Sequence, residues 1–334
     1  MQNYNLVVDV GSSNTALYKA GQGIVLKEPT IIAETKIGNK NILVDVGIGA
    51  NKLLEKGEKD LDFISPIDHG IIKDRQLVSQ MLGEFLSRIG DKKLFNKNKL
   101  LYVIPSSLNE KEMIKCKNLS YSLNVSKSTL IQSSILAYIA SSIDDKIRTK
   151  LIINIGGGTT DIALVFNMKV LAGITIGIGG KDIDKKIADM FIKKDNLVIN
   201  PVVLEDIKKE LATLLPNDII TVNVPCKDYF SGEEKNVKLS SKETILFFER
   251  FFDEIYKVAK ELKDSCKDEA LEDLKRGGVY ICGGMANVTG VDRFFKTRLG
   301  LPVVVESEPE NAIMKGAEIL LNSPWLQDRI YDEI

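Results

Sequence analysis

The chain has 334 residues, 44% hydrophobic and 27% charged, and a net charge of −1; this length predicts two lobes, and the balanced charge leaves no basic field for holding nucleic acid. Cys116, Cys226, Cys266 and Cys282 lack metal-ligand spacing and read as reduced thiols. A strand begins almost at the N-terminus, leaving no room for a signal peptide, and no apolar run is long enough to span a bilayer, so a soluble intracellular protein is expected. In chain order, the stretch from Leu6 to Tyr18 reads as a two-stranded hairpin and that from Thr30 to Ala33 as a strand. Gln76 to Ile89 is helical, with Leu77, Met81, Phe85 and Ile89 on one face. Leu100 to Ile104 is a buried strand closed by Pro105, Asn109 to Leu119 a helix, Val125 the start of a strand, and Ser133 to Ser142 a close-packing helix. The second half opens with a strand at Leu151 to Ile153 and continues with Ile162 to Phe166. Leu204 to Leu215 reads as a helix stopped by Pro216, and Ile219 to Val224 with Asn236 to Leu239 as a hairpin. Lys242 to Leu262 is a long amphipathic helix whose Phe247, Phe248, Phe251 and Phe252 suit a core or a contact between subunits. Val279 to Cys282 and Val303 to Val305 are strands; Val291 to Leu299 and Asn311 to Leu321 are helices. Strands alternating with helices after an initial hairpin in each half indicate an α/β protein.

Two glycine-rich turns carry the chemistry. Asp9-Val10-Gly11-Ser12-Ser13-Asn14-Thr15 follows the first apolar run, and Asn154-Ile155-Gly156-Gly157-Gly158-Thr159-Thr160-Asp161 follows the run at Leu151. Glycine lets backbone N–H groups approach an anion, Ser and Thr hydroxyls add donors, and successive N–H groups form a nest. Either turn alone also reads as an ordinary β-hairpin. As a pair, one opening each half, they read as two jaws of a phosphate clamp. A third junction, Gly283-Gly284-Met285, follows a strand and would let a base or ribose lie against bare backbone; alone it is a common strand-to-helix connection.

The order of these pieces resembles the superfamily of actin, the heat-shock chaperone ATPases and the sugar kinases, and within it the bacterial actin MreB family. The resemblance runs nearly end to end. Asp9 to Thr15 and Asn154 to Asp161 match the two phosphate motifs, and Gly283-Gly284-Met285 the adenosine motif. Ile24 to Thr30, Ser65 to Ile72, Gly179 to Asp184 and Glu205 to Glu210 resemble the intervening family segments. His69, the only histidine, has a structural place in this pattern. The resemblance implies an actin-like two-lobed ATPase fold with a nucleotide cleft between the lobes. The first lobe would span 1–145, completed by 311–334, and the second 146–310. ATP with Mg²⁺ would lie in the cleft. Gly11, Ser12, Ser13 and Asn14 would face Gly156, Gly157, Gly158 and Thr159 around the phosphates, and Asp9 and Asn154 would hold the magnesium hydration shell. Gly180, Glu205, Lys208, Gly283, Gly284 and Met285 would surround the nucleoside, although Glu205 and Lys208 read equally well as a solvated helix face. Water would attack the γ-phosphate in line, with Gln132, Asn154 and Asp9 as catalytic candidates.

Two departures from the family pattern bear on turnover. MreB proteins usually carry Asp where this chain has Asn154, and Glu-Glu-Pro where it has Gln132-Ser133-Ser134. An amide can coordinate, hydrogen-bond or orient a water, but it neither neutralises a cation nor takes a proton as a carboxylate does. The expectation is ATP binding with slow hydrolysis, a weak ATPase. Leu94-Phe95 sits among Lys92, Lys93, Lys97 and Lys99, where some MreB proteins carry an apolar pair that dips into the bilayer. Each lysine near an anionic surface would add ~1 kcal/mol, and a polymer would repeat the weak anchor; the alternative is an inward-packed pair with a solvated lysine rim. Polymerisation follows only from the resemblance, through head-to-tail contacts that generate open filaments. The reading is an ATP-binding, filament-forming bacterial actin at the cytoplasmic face of the membrane, involved in cell shape. Its partners would be itself, an anionic membrane surface, paralogous actins or shape-determining membrane proteins, and no nucleic acid. A plasmid-segregating actin and a monomeric phosphotransferase of the sugar-kinase branch are the competitors. The second needs a catalytic Asp that Asn154 does not supply, and a chaperone ATPase would need a substrate domain beyond residue 334.

Overall fold

Both apolar runs that end in glycine turns become central strands of five-stranded sheets. The computed structural model describes residues 4–89, 99–123, 125–142 and 147–331. The first third contains β1 (Leu6–Val10), β2 (Asn14–Lys19), β3 (Gly23–Pro29), β4 (Ile32–Ile37), β5 (Lys40–Val46), α1 (Ile48–Lys56), β6 (Asp62–Ile64), β7 (Ile67–Asp68), β8 (Ile71–Ile72), α2 (Arg75–Arg88) and β9 (Lys99–Ile104). Next come α3 (Glu110–Ser122), β10 (Lys127–Gln132), α4 (Ser133–Ala140), β11 (Thr149–Ile155), β12 (Thr160–Phe166), β13 (Lys169–Ile176), α5 (Gly180–Asp195), β14 (Leu197–Val198) and α6 (Pro201–Leu211). The chain continues through β15 (Thr221–Asp228), β16 (Glu234–Ser240), α7 (Ser241–Ser265), α8 (Asp268–Gly277), β17 (Val279–Cys282), α9 (Val291–Leu299), β18 (Val303–Val305), α10 (Ala312–Leu321) and α11 (Pro324–Tyr331).

The two large sheets repeat one topology. The first runs β10-β9-β1-β2-β3 and the second β18-β17-β11-β12-β13. In each, a three-stranded antiparallel meander continues into two parallel strands. The register makes the repeat residue by residue: Asp9 lies opposite Ala16 in one hairpin, and Asn154 lies opposite Asp161 in the other. Asn154 therefore occupies in the second sheet the place of Asp9 in the first.

Local chemistry explains the helices that frame the sheets. Asp74 caps α2, its carboxylate accepting from the N–H groups of Gln76 and Leu77 at 2.8 and 3.1 Å, and Val78, Met81, Leu82, Phe85 and Leu86 are buried. Ser240 and Glu243 form a capping box on α7. On that helix Phe248, Phe251 and Phe252 pack into the core of the second sheet, with Phe251 and Phe252 edge to face at 5.2 Å. The aromatic run therefore belongs to the interior, with Phe247 packed partly buried against it. A separate core lies between the sheets, where α4 and α10 join residues of both, among them Val7, Leu101, Ile152 and Tyr280. The two helices cross so closely that a Cβ on Gly316 would stand 1.9 Å from the Leu136 carbonyl oxygen.

Several boundaries differ from those expected, as for β15, which spans Thr221–Asp228 where Ile219 to Val224 was expected, and two cases have a visible cause. Of the strand read from Thr30 to Ala33 only Ile32 and Ala33 are strand, at the start of β4; Thr30 lies in the junction after β3, where it donates its N–H to the Ser13 carbonyl at 2.8 Å and its hydroxyl lies 2.9 Å from that of Thr15. The helix read from Leu204 to Leu215 spans Pro201–Leu211. It starts earlier because Asn200 caps it and Pro201 suits the first turn. It stops earlier because Thr289 donates to the Ala212 carbonyl and Leu214 donates to the Thr289 carbonyl. Among the described residues no helix is long and apolar enough to cross a membrane. Leu94 and Phe95 lie outside the described residues.

Candidate functional site

Each turn is closed by the same bond: Gly11 N–H donates to the Asn14 carbonyl at 3.0 Å, and Gly156 N–H to the Thr159 carbonyl at 2.9 Å. The turns face each other at a distance only glycine permits. A Cβ on Gly157 would lie 1.9 Å from Ser13 Oγ, and one on Gly158 would lie 2.6 Å from Ser12 Oγ. The start of α5 buttresses the second turn, since Gly180 and Lys181 donate backbone N–H groups to the Gly156 and Gly157 carbonyls at 3.0 and 2.8 Å. Lys181 also reaches across to the first turn, its Nζ 2.5 Å from the Ser12 carbonyl oxygen. Ser12 Oγ accepts from Gly70 N–H at 3.0 Å.

These elements enclose a cleft of about 730 Å³. Asp9, Gly11, Ser12, Ser13, Asn14, Asn154, Gly156, Gly157, Gly158 and Thr159 line it, as do Gly180, Glu205, Lys208, Gly283, Gly284 and Met285. The twofold repeat thus brings Asp9 and Asn154, far apart in the chain, into one cleft. Gly283 is required by its surroundings as well as by its φ of 85°, because a Cβ there would meet the Ile155 carbonyl at 2.4 Å and Asn154 Oδ1 at 2.6 Å.

Burial pushes the Asp9 carboxyl up to about 6. No ion pair of Asp9 is formed among the described residues, and no group of three or more His, Cys, Asp or Glu side chains is arranged there to hold a metal ion directly. A desolvated carboxylate in the same cleft as the Asn154 amide fits a hydrated hard cation, which is held through water and phosphate oxygens by one or two protein groups.

Lys208 and Glu205 line the cleft, but their charges are engaged. Lys208 Nζ lies 2.8 Å from Asp184 Oδ2 and donates to the Gly180 carbonyl at 3.3 Å; Glu205 pairs with Lys209 at 3.0 Å. Lys208 is therefore a wall of the cleft and not a free cation. Lys27, absent from the sequence-based site, also lines it and bonds to Asn311 Oδ1 at 2.7 Å.

Gln132 is the candidate that does not face the cleft. It is absent from the lining, and its Nε2 donates to the Ser106 carbonyl at 2.9 Å. Its neighbour Ser133 does line the cleft, as does Asp161, which sequence reasoning passed over as the end of a turn motif. Asp161 is 4% exposed. It accepts from Ser106 N–H at 3.0 and 2.9 Å, Ser106 Oγ at 2.7 Å, Thr175 Oγ1 at 2.7 Å and Ser133 Oγ. Burial raises its carboxyl against the pull of these bonds. The usable signal was its place opposite Asn154 in a predicted hairpin. His69, with φ 47°, stays outside the lining and spans from Asp68, 2.6 Å from Nδ1, toward Asp182, 3.6 Å from Nε2.

Duplicated meander sheets, a shared helical layer between them and a cleft with paired glycine turns define the class: this is the two-lobed α/β actin-like fold. The chain belongs to the MreB/Mbl family, whose MreB/Mbl protein model matches residues 3–327. It is similar to the cell shape-determining protein Mbl of Bacillus subtilis (strain 168), 26% identical over 318 residues covering 95% of each chain. It is 25% identical over 321 residues to the cell shape-determining protein MreB of Escherichia coli (strain K12), covering 95% of this chain and 92% of that one. Among solved structures, MreB5 of Spiroplasma citri bound to AMPPNP superposes with a TM-score of 0.87 at 25% identity, covering 98% of both chains. The ADP-bound form of that protein gives 0.86.

Proposed function

We propose that this protein binds ATP with Mg²⁺ in the cleft, assembles into filaments on the cytoplasmic face of the membrane, and takes part in cell shape as a slow ATPase. The observation that carries the reading is the pair of opposed glycine turns, which approach so closely that a Cβ on Gly157 would lie 1.9 Å from Ser13 Oγ. AMPPNP and ADP in the similar Spiroplasma citri protein, and the cell shape-determining relatives, support the same reading. In it, Gly11 to Asn14 and Gly156 to Thr159 hold the phosphates, and Gly180, Glu205, Lys208, Gly283, Gly284 and Met285 hold the nucleoside. Asp9 and Asn154 would hold the hydration shell of magnesium, which when bound offsets phosphate charge. A water oxygen bonds to the γ-phosphorus, the bond to the β-phosphate oxygen breaks, ADP leaves with that electron pair, and the water proton passes to phosphate or solvent. One carboxylate where the family usually has two argues for slow turnover.

The lobes are taken as 1–145 with 311–334, and 146–310; α10 packing on α4 and on the first sheet supports assigning the C-terminal segment to the first lobe. Leu94 and Phe95 are the proposed membrane contact, and the filament's other partners would be paralogous actins or shape-determining membrane proteins. The test is sedimentation with ATP, ADP or a non-hydrolysable analogue, with and without anionic liposomes, reading phosphate release on the same samples. Nucleotide-dependent pelleting with little phosphate release is expected, and Ser at both 94 and 95 should remove the liposome-bound fraction. Protein that stays in the supernatant under every condition would overturn the filament reading and favour a monomeric phosphotransferase.

A further inference from the structure

Asp161 is the most heavily bonded carboxylate beside the cleft, and the ATPase chemistry proposed above does not use it. It stands on β12, on the strand opposite Asn154. Its two oxygens gather donors from both sides of the cleft. Thr175 comes from β13 of its own sheet, while Ser106 follows β9 and Ser133 opens α4, both on the side of the first sheet. All of these donors are neutral hydroxyls or an N–H, so the buried charge is held by hydrogen bonds alone. That arrangement fixes geometry strongly, because leaving such a group unsatisfied is costly.

The grip passes directly to Gln132. Asp161 clamps the N–H and the hydroxyl of Ser106, and the Ser134 hydroxyl lies 2.5 Å from Ser106 Oγ. The carbonyl of the same Ser106 accepts from Gln132 Nε2 at 2.9 Å. A carbonyl can only accept, so the end of the Gln132 amide held by Ser106 is Nε2, and Gln132 is not among the residues lining the cleft. Ser133, the residue after Gln132, is held by Asp161 as well, which pins the backbone at the start of α4.

We infer that Asp161 is a positioning residue that keeps the Gln132 amide turned out of the cleft through Ser106, and so restrains ATP hydrolysis. The inference rests on the ATPase reading of the cleft. Turning Gln132 toward an attacking water requires its bond to the Ser106 carbonyl to break, and the Asp161 clamp holds that carbonyl in place. Gln132 would orient the water without taking its proton, so the clamp acts on the probability of a productive arrangement and leaves the chemistry of the step unchanged.

The experiment uses the full chain with MgATP. Equilibrium binding of a fluorescent ATP analogue and phosphate release are measured on wild type, D161N, S106A, Q132A and the two double variants with Q132A. An amide at 161 turns a donor toward donors and weakens the clamp, so D161N should raise phosphate release ~tenfold, the equivalent of exchanging charge-assisted bonds for neutral ones. Nucleotide affinity should change less than the rate of release, because the Asp161 carboxylate bonds to Ser106, Ser133 and Thr175 and to none of Gly156, Gly157, Gly158 or Thr159. S106A, which keeps the backbone N–H, should give a smaller rise. Q132A should abolish both rises. Unchanged or slower release in the folded single variants would overturn the inference, as would a rise that persists with Q132A. If D161N does not fold, S106A decides alone. A wild type that binds no nucleotide would refute the ATPase reading and this inference together; nucleotide binding without coupling to Gln132 would refute the inference only.

Discussion

Replacing Asp9 by Asn should stabilise the ligand-free protein while weakening its hold on magnesium nucleotide. The Asp9 carboxyl is pushed by burial from its ordinary 3.8 up to about 6. At ~1.4 kcal/mol per tenfold, that rise amounts to about 3 kcal/mol of cost for the charged form at neutral pH. Partial exposure to the cleft screens the charge, so roughly 1–2 kcal/mol is the working figure. The direction with pH follows from linkage. Between the unfolded value near 3.8 and the folded value near 6 the folded state binds the extra proton, so the cost is absent below the first and complete above the second. Asn has the same shape and no charge to desolvate. Thermal unfolding at pH 7.5 without nucleotide should therefore place D9N roughly 2–4 °C above wild type, and the gap should close near pH 4. Added MgATP should raise the midpoint of the wild type more than that of the variant, because ligand stabilisation follows affinity. A variant that melts at or below wild type at pH 7.5, or a gap independent of pH, would refute the reasoning.

Three further predictions use the same geometry. Gly157→Val introduces a Cβ that would lie 1.9 Å from Ser13 Oγ, so nucleotide affinity should fall at least ~tenfold by equilibrium titration; unchanged affinity would mean the turns do not meet in solution. Asn154→Asp puts a carboxylate at the position in the second sheet that corresponds to Asp9 in the first and should speed phosphate release by roughly tenfold or more; a slower or equal rate would detach slow turnover from this position. Burial pushes the Glu306 carboxyl up, but bonds from Lys315, Tyr280 and Ser307 outweigh it and hold it at about 2. Glu306→Gln should cost roughly 2–3 kcal/mol in urea unfolding at pH 7, and the loss should shrink as pH falls from about 4.5 toward 2; a loss that is the same at every pH would exclude this charge as the cause.

The hairpins and their turns were legible because the signal is local. Apolar runs ending in Gly-Ser-Ser-Asn or Gly-Gly-Gly-Thr specify a strand, a turn and a strand within about fifteen residues. The helices α2 and α7 were legible from the spacing of their apolar residues, and α10 was read as a helix from Asn311 to Leu321. The strands β3, β5 and β6 were not read, and β4 only at Ile32 and Ala33, although β2 with β3 and β4 with β5 are hairpins between chain neighbours; their residues alternate weakly, and only the β4–β6 pairing joins more distant strands. The end of α6 was misread because Thr289, far along the chain, takes the backbone groups that would have continued the helix.

By itself the sequence determined which residues have the chemistry for a phosphate clamp, and the near-repeat of its two turn motifs implied that they act together. Composition and hydrogen-bonding capacity are properties of residues and need no partner to be read. Tertiary structure alone decided what each group is free to do. It set Asn154 in the place of Asp9, paired Lys208 with Asp184, turned Gln132 onto Ser106, and made Asp161 the knot between the sheets. The physical reason is that a polar side chain bonds to whatever burial brings within about 3 Å, and those neighbours come from distant parts of the chain.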